Sequence, residues 1–255
     1  MSKLILHTEN VTQRFGGMTA VSKVSVDLYE GEIVGIIGPN GAGKTTFFNV
    51  LTGIYTPTEG KVFLDGDDIT GKMPHEIAKL GMTRNFQNIR LFNNMTIIEN
   101  IMTGIYCRKK ANVLDSILHT KKHRREEKET EQEALKYLDI VSLGDCRYDM
   151  ATSLPYGQQR KLEIGRALAS NPKVLLLDEP AAGMNDQETM ELADFILELR
   201  SIGYSIILIE HDMRLVMNVC DRIYVLNYGA QIAHGTPAEI KQNPEVITAY
   251  LGEED

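Results

Sequence analysis

The run Gly38-Pro39-Asn40-Gly41-Ala42-Gly43-Lys44-Thr45 fits GxxxxGK[ST] at every defined position. Glycines let such a loop wrap a phosphate without Cβ clashes, so main-chain N–H groups point inward, and the helix that follows adds partial positive charge at its N-terminus. Lys44 is suited to the β- and γ-phosphates and the Thr45 hydroxyl to Mg²⁺. The binding set runs over Gly38, Pro39, Asn40, Gly41, Ala42, Gly43, Lys44, Thr45 and Thr46. A second constellation, Val174-Leu175-Leu176-Leu177-Asp178-Glu179-Pro180, puts two carboxylates at the end of an apolar strand. Such strand ends lie over the crevice where parallel sheets bind ligands. Asp178 is placed to hold Mg²⁺, and Glu179 to take a proton from water attacking a γ-phosphate.

The elements around these residues must hold them at the carboxyl ends of parallel strands. Glu32–Gly38 is nearly continuous in apolar residues, as in a strand buried on both faces, and leads straight into the glycine loop. Lys44–Thr52 then reads as helix. Leu4–Val11, Val21–Leu28 and Lys61–Asp65 have the short alternating or β-branched character of strands. After Asn94 the strand signals stop until about Leu143. The run Lys121–Glu129 there carries like charges at i,i+4, Arg124/Lys128 and Glu127/Glu131, and reads as a solvated helix. Beyond it, strand Val174–Leu177, helix Gln187–Ser201, strand Ser205–Ile209, a helix from Met213 and strand Arg222–Leu226 alternate, which predicts a parallel sheet with crossover helices.

Composition narrows the function classes. The 255 residues suffice for one large domain, and no run of 18 apolar residues offers a membrane span. The first residues lack the pattern of a secretory leader, so the expected place is the cytosol. Cys107, Cys146 and Cys220 are far apart and form no CxxC pair, which suggests scattered packing thiols. A net charge of -8 argues against nucleic acid or an anionic lipid surface as the primary partner.

The two constellations, with Gln87, Leu154-Pro155-Tyr156-Gly157-Gln158 and His211, occur in the order found in ATP-binding cassette (ABC) transporter ATPases, and the resemblance covers essentially the whole chain. Within that family, Arg84-Asn85-Phe86-Gln87, Arg90-Leu91-Phe92, Met95-Thr96, Glu99-Asn100, Glu179–Gly183, Ile209–Asp212 and the ending Asn243–Glu253 resemble the ATPases of branched-chain amino acid importers. The ATPase of lipopolysaccharide export complexes is the nearest rival. The resemblance implies a P-loop NTPase core over 1–87 and 166–255, with a mixed, mainly parallel sheet and an antiparallel β subdomain. It places an inserted helical lobe at 88–165. It implies that Phe15 stacks on adenine, that Gln87 touches Mg²⁺ and the attacking water, and that His211 contacts the γ-phosphate. Leu154, Gly157 and Gln158 would face the nucleotide of a second cassette in a head-to-tail pair.

The implied activity is hydrolysis of ATP with Mg²⁺ at the cytoplasmic face of the membrane. The implied partners are membrane subunits, a second cassette and, indirectly, an extracytoplasmic binding protein. Three positions depart from the family pattern. Pro155 and Tyr156 stand where Leu-Ser-Gly-Gly-Gln would place Ser and Gly, and Asn185 stands where an aspartate is expected. The lost serine hydroxyl favours a heterodimer with unequal sites, with a homodimer as the alternative. A non-transport ABC ATPase in repair or translation would be expected to show coiled-coil insertions, a second cassette or a basic stripe, and none is visible. A small P-loop kinase would leave Leu154–Gln158 and His211 unexplained.

Overall fold

The computed structural model describes residues 2–85, 87–109 and 121–251, with the side chains of 121–124 and 251 left aside. Phe86, the stretch 110–120 and the ending 252–255 lie outside the described residues. The chain divides into two compact units, Met1–Gln87 with Lys173–Asp255, and Asn88–Pro172.

The first unit is built on strands β1 (Leu4–Phe15), β2 (Met18–Val24), β3 (Asp27–Tyr29), β4 (Ile33–Ile37), β5 (Glu59–Leu64), β6 (Asp67–Asp68), β7 (Met82–Asn85), β8 (Val174–Asp178), β9 (Ser205–Ile209), β10 (Arg222–Asn227) and β11 (Ala230–Gly235). Their order is β6-β5-β1-β2-β11-β10-β4-β9-β8-β7, with β3 beside β1. From β10 through β4, β9 and β8 to β7 every pairing is parallel, as is β2 with β11, while β1, β2, β3, β5 and β6 pair antiparallel among themselves and so do β10 and β11. β4, β8 and β9 are buried at every position, which is why their sequences are apolar runs rather than alternations. Helices are numbered in chain order. This unit carries α1 (Lys44–Leu51), α2 (Pro74–Leu80), α6 (Asp186–Ser201), α7 (Met213–Val219), α8 (Pro237–Gln242) and α9 (Pro244–Leu251). Phe47, Phe48 and Leu51 of α1 pack into the same core as Val34, Ile36, Leu176 and Ile207.

The expected single strand over Val21–Leu28 is two. β1 pairs β2 through Val11–Phe15 and β3 through Leu4–His7, so the returning chain must jog between them. At the jog the Val26 N–H donates to the Thr8 hydroxyl (2.8 Å), a side-chain substitute for a ladder bond.

The second unit is helical: α3 (Ile97–Arg108), α4 (Lys121–Ile140) and α5 (Tyr156–Leu168), with a 3-10 turn at Ala151–Ser153. α3 packs on both α4 and α5, burying Ile97, Ile101, Ile105, Leu138, Leu162 and Leu168. The charged run lies on α4, where residues 125–129 are exposed and Arg125 pairs with Glu129 at i,i+4 (2.9 Å). The expected boundary between 165 and 166 falls inside α5. Its last turn is continuous, with Ala169 N–H donating to Gly165 O (2.9 Å), so the second unit runs on to Pro172. Among the described residues, no helix is long and apolar enough to cross a membrane.

Candidate functional site

The glycine loop leaves β4 at Ile37 and enters α1 at Lys44. Two of its glycines admit no side chain. A Cβ at Gly38 (φ 150°) would stand 2.0 Å from Leu226 O, and one at Gly43 (φ 97°) 2.3 Å from Ala20 O. The loop is therefore pinned between β10 and the start of β2. Lys44 is buried, and its ammonium donates to Gly38 O (2.5 Å) and Pro39 O (2.9 Å), which holds the charge over the loop it serves. A cavity of about 530 Å³ opens here, lined by Met18, Thr19 and Ala20 on one side and by Asn40 to Thr46 on another, with Glu179 and Tyr228. One cavity thus holds the glycine loop and the proposed base. Phe15 ends β1 just before the turn into β2, 39% exposed, with its ring edge-on to Tyr55 at 5.1 Å, and is not among the residues lining that cavity.

The acidic strand end is held from three directions. Asp178 is buried at the end of β8, and its Oδ2 accepts from Arg84 Nη2 (2.5 Å) on neighbouring β7. The other arm of Arg84 donates to Asn49 Oδ1 on α1 (2.7 Å). Glu179 follows with φ 46°, a left-handed backbone that costs a non-glycine residue about 1–3 kcal/mol and is kept only where surroundings over-determine it. Its N–H donates to Ile209 O (2.9 Å), and its Oε2 accepts from Gln87 Nε2 (2.6 Å). His211 stands just past β9, its Nδ1 3.9 Å from the same Oε2. Glu179, Gln87 and His211 are thereby brought together from the ends of β8, β7 and β9. Glu210, beside His211, is fully buried. Burial pushes its carboxyl pKa up, while main-chain donors from Ala181, His211 and Asp212 oppose the shift.

Leu154, Gly157 and Gln158 belong to the second unit. Pro155 is the N-cap of α5, so Tyr156, Gly157 and Gln158 form its first turn, where N–H groups have no intrahelical partner. Proline offers no side-chain acceptor, and no cap bond is made there. Asn185 caps α6 instead, its side chain accepting from Glu188 N–H (3.0 Å).

Sequence reasoning left three of these groups without a role. Glu210 is a charge directly after the apolar, fully buried β9, and that misfit was the available signal, whereas Arg84 lies among polar neighbours on β7 and gave none. Tyr228, 91% exposed with φ 45°, sits in a turn whose only mark is the following Gly229.

The donors that could meet a metal are the Thr45 hydroxyl, the Asp178 carboxylate and the Gln87 amide oxygen. This all-oxygen set suits Mg²⁺, and Arg84 already occupies one Asp178 oxygen. Among the described residues no group of three His, Cys, Asp or Glu forms a ready-made metal cage.

Known proteins resemble this chain over nearly its whole length. Residues 21–182 match the family model described as ABC transporter, and residues 230–255 match that of the branched-chain amino acid ATP-binding cassette transporter. The chain is 48% identical over 254 residues to the high-affinity branched-chain amino acid transport ATP-binding protein BraF of Pseudomonas aeruginosa, covering 99% of this chain and 100% of the relative. It is 46% identical, with the same coverage, to the protein LivG of Escherichia coli K12, which carries the same description. Among solved structures, the ADP conformation of an ATP-binding cassette of an ABC transporter superposes with a TM-score of 0.86 at 35% identity, covering 98% of this chain and 100% of that one. The chain belongs to the ABC transporter family, as one of its ATP-binding cassettes.

Proposed function

We propose that this cassette hydrolyses ATP to drive uptake of branched-chain amino acids through membrane subunits, working with Mg²⁺ at the cytoplasmic face of the membrane. The observation that carries the reading is one cavity that holds the Lys44 loop and Glu179, with Gln87 and His211 at the same carboxylate. The loop N–H groups and Lys44 bind the phosphates. Thr45, Asp178 and Gln87 hold Mg²⁺, which when bound neutralises phosphate charge. Phe15 offers a ring to adenine. Glu179 accepts the proton of the attacking water, Gln87 orients that water, and His211 meets the γ-phosphate. The amino acid substrate is read from the names of the relatives.

A second cassette completes the site by presenting its signature turn, the counterpart of Leu154–Gln158 here, and Leu154, Gly157 and Gln158 do the same for the partner. Membrane subunits dock on the second unit beside Asn88–Leu91. The same unit carries a groove of about 790 Å³ lined by Met95, Met102, Tyr106 and Tyr148 with Glu99 and Glu127. The test is Glu179→Gln in the assembled transporter. ATP binding should persist while turnover falls by about two orders of magnitude or more, since an amide cannot take the proton. Unchanged turnover would remove Glu179 from the base role.

A further inference from the structure

The distance from His211 Nδ1 to Glu179 Oε2, 3.9 Å, is too long for a hydrogen bond, so the two groups do not hold each other. Their spacing must come from the backbone beneath them. Glu210 lies there, fully buried. Its Oε1 accepts from the N–H of Ala181 (2.8 Å), two residues past Glu179. Its Oε2 accepts from the N–H of His211 (3.1 Å) and meets that of Asp212 at 3.4 Å, on the turn that opens α7. Glu179 itself has the left-handed backbone, and its N–H is tied to Ile209 O (2.9 Å), the residue before Glu210. The strained residue is thus bracketed, on one side by its own bond to Ile209 and on the other by Glu210's hold on Ala181.

We propose that Glu210 is a positioning residue for ATP hydrolysis, a buried carboxylate that fixes the loop bearing Glu179 against the turn bearing His211. Only an acceptor-only group can do this. Each oxygen serves N–H donors of a different loop, and an amide would present its own N–H groups to one of them. The inference rests on the roles proposed for Glu179 and His211.

The test is Glu210→Gln in the assembled transporter, beside Glu179→Gln and His211→Ala. Losing a hydrogen bond to a charged group predicts that kcat falls about 10- to 100-fold. KM for ATP and the equilibrium affinity for a fluorescent ATP analogue should stay within about threefold, because the phosphate loop is untouched. In single-turnover measurements, adding Glu210→Gln to His211→Ala should cost less than about threefold more, because the two act as one unit. If Glu210→Gln does not fold, Glu210→Asp carries the same test. It keeps a carboxylate beside His211 but is one methylene too short for Ala181. Near-native kcat, losses that multiply fully with His211→Ala, or an equal loss in nucleotide affinity would overturn the proposal. If Glu179→Gln itself retains turnover, the base role fails instead, whatever Glu210 does.

Discussion

Replacing Arg84 by leucine should destabilise the first unit far more than loss of a surface ion pair would. The side chains of Arg84 and Asp178 are each only 7% exposed and meet at 2.5 Å. The guanidinium also donates to Asn49 and lies over the Phe48 ring, 5.6 Å from its centroid. Removing it leaves a carboxylate buried without its cation, a change that costs about 3–5 kcal/mol. An exposed pair would be worth about 1 kcal/mol or less. For a chain of this length the larger figure corresponds to a fall in Tm of about 6–20 °C. Asp178→Asn should also destabilise, and the double variant should recover about 1–3 kcal/mol relative to the sum of the singles. The assay is urea denaturation followed by far-UV circular dichroism, because the chain has no Trp to report by fluorescence. Destabilisation by Arg84→Leu below about 1 kcal/mol, or strictly additive singles, would show that water reaches the pair and refute the reasoning.

Lys44→Ala should abolish or severely weaken ATP binding while leaving the fold intact, as measured by nucleotide titration and circular dichroism. Near-normal ATPase would sink the phosphate-loop assignment. In the reconstituted pair of cassettes, an aspartate at the partner's signature glycine should reduce ATPase more than Gly157→Asp does here, because Pro155 supplies no hydroxyl to the site it faces. The missing hydrogen bond could weaken that site about 10- to 100-fold, and equal losses would refute the asymmetry. Maleimide should label exposed Cys107 rapidly at pH 8 and spare Cys220 in the native state. Burial pushes the Cys220 thiol far above its ordinary pKa, so raising the pH to 9 should not expose it to labelling. Rapid native-state labelling of Cys220 would contradict its burial.

The parts of this fold legible in the sequence are those where burial and chemistry coincide. Glu32–Gly38 and Val174–Leu177 could be read as central strands because both faces are buried, and the glycine loop and Asp178-Glu179 followed from their ends. β7 escaped notice because its residues, Met82-Thr83-Arg84-Asn85, are three-quarters polar. It is an end strand, and its Arg84 reaches Asp178 and Asn49. β11, Ala-Gln-Ile-Ala-His-Gly, has only half-buried or exposed positions and no alternation to betray it. α8 did carry a readable signal, since Thr236 and Glu239 form a capping box with Pro237 at the first helical position. Within the site, residue identities were legible where a motif named them. The hold of Arg84 on Asp178 and of Glu210 on two loops was not, because it joins segments far apart in the chain.

β7 and β8 are parallel neighbours, register Met82 to Val174 through Asn85 to Leu177, and the chain between them is the whole second unit. Parallel neighbours cannot be joined by a hairpin. They need a crossover of about a dozen residues in any case. Topologically, Asn88–Pro172 is that crossover grown into a lobe, so the sheet order would be the same with a single helix in its place. A module can therefore be inserted or removed at this point without rethreading a strand. The same junctions, after Gln87 and before Lys173, are where a designer could exchange the lobe for another and keep the sheet order.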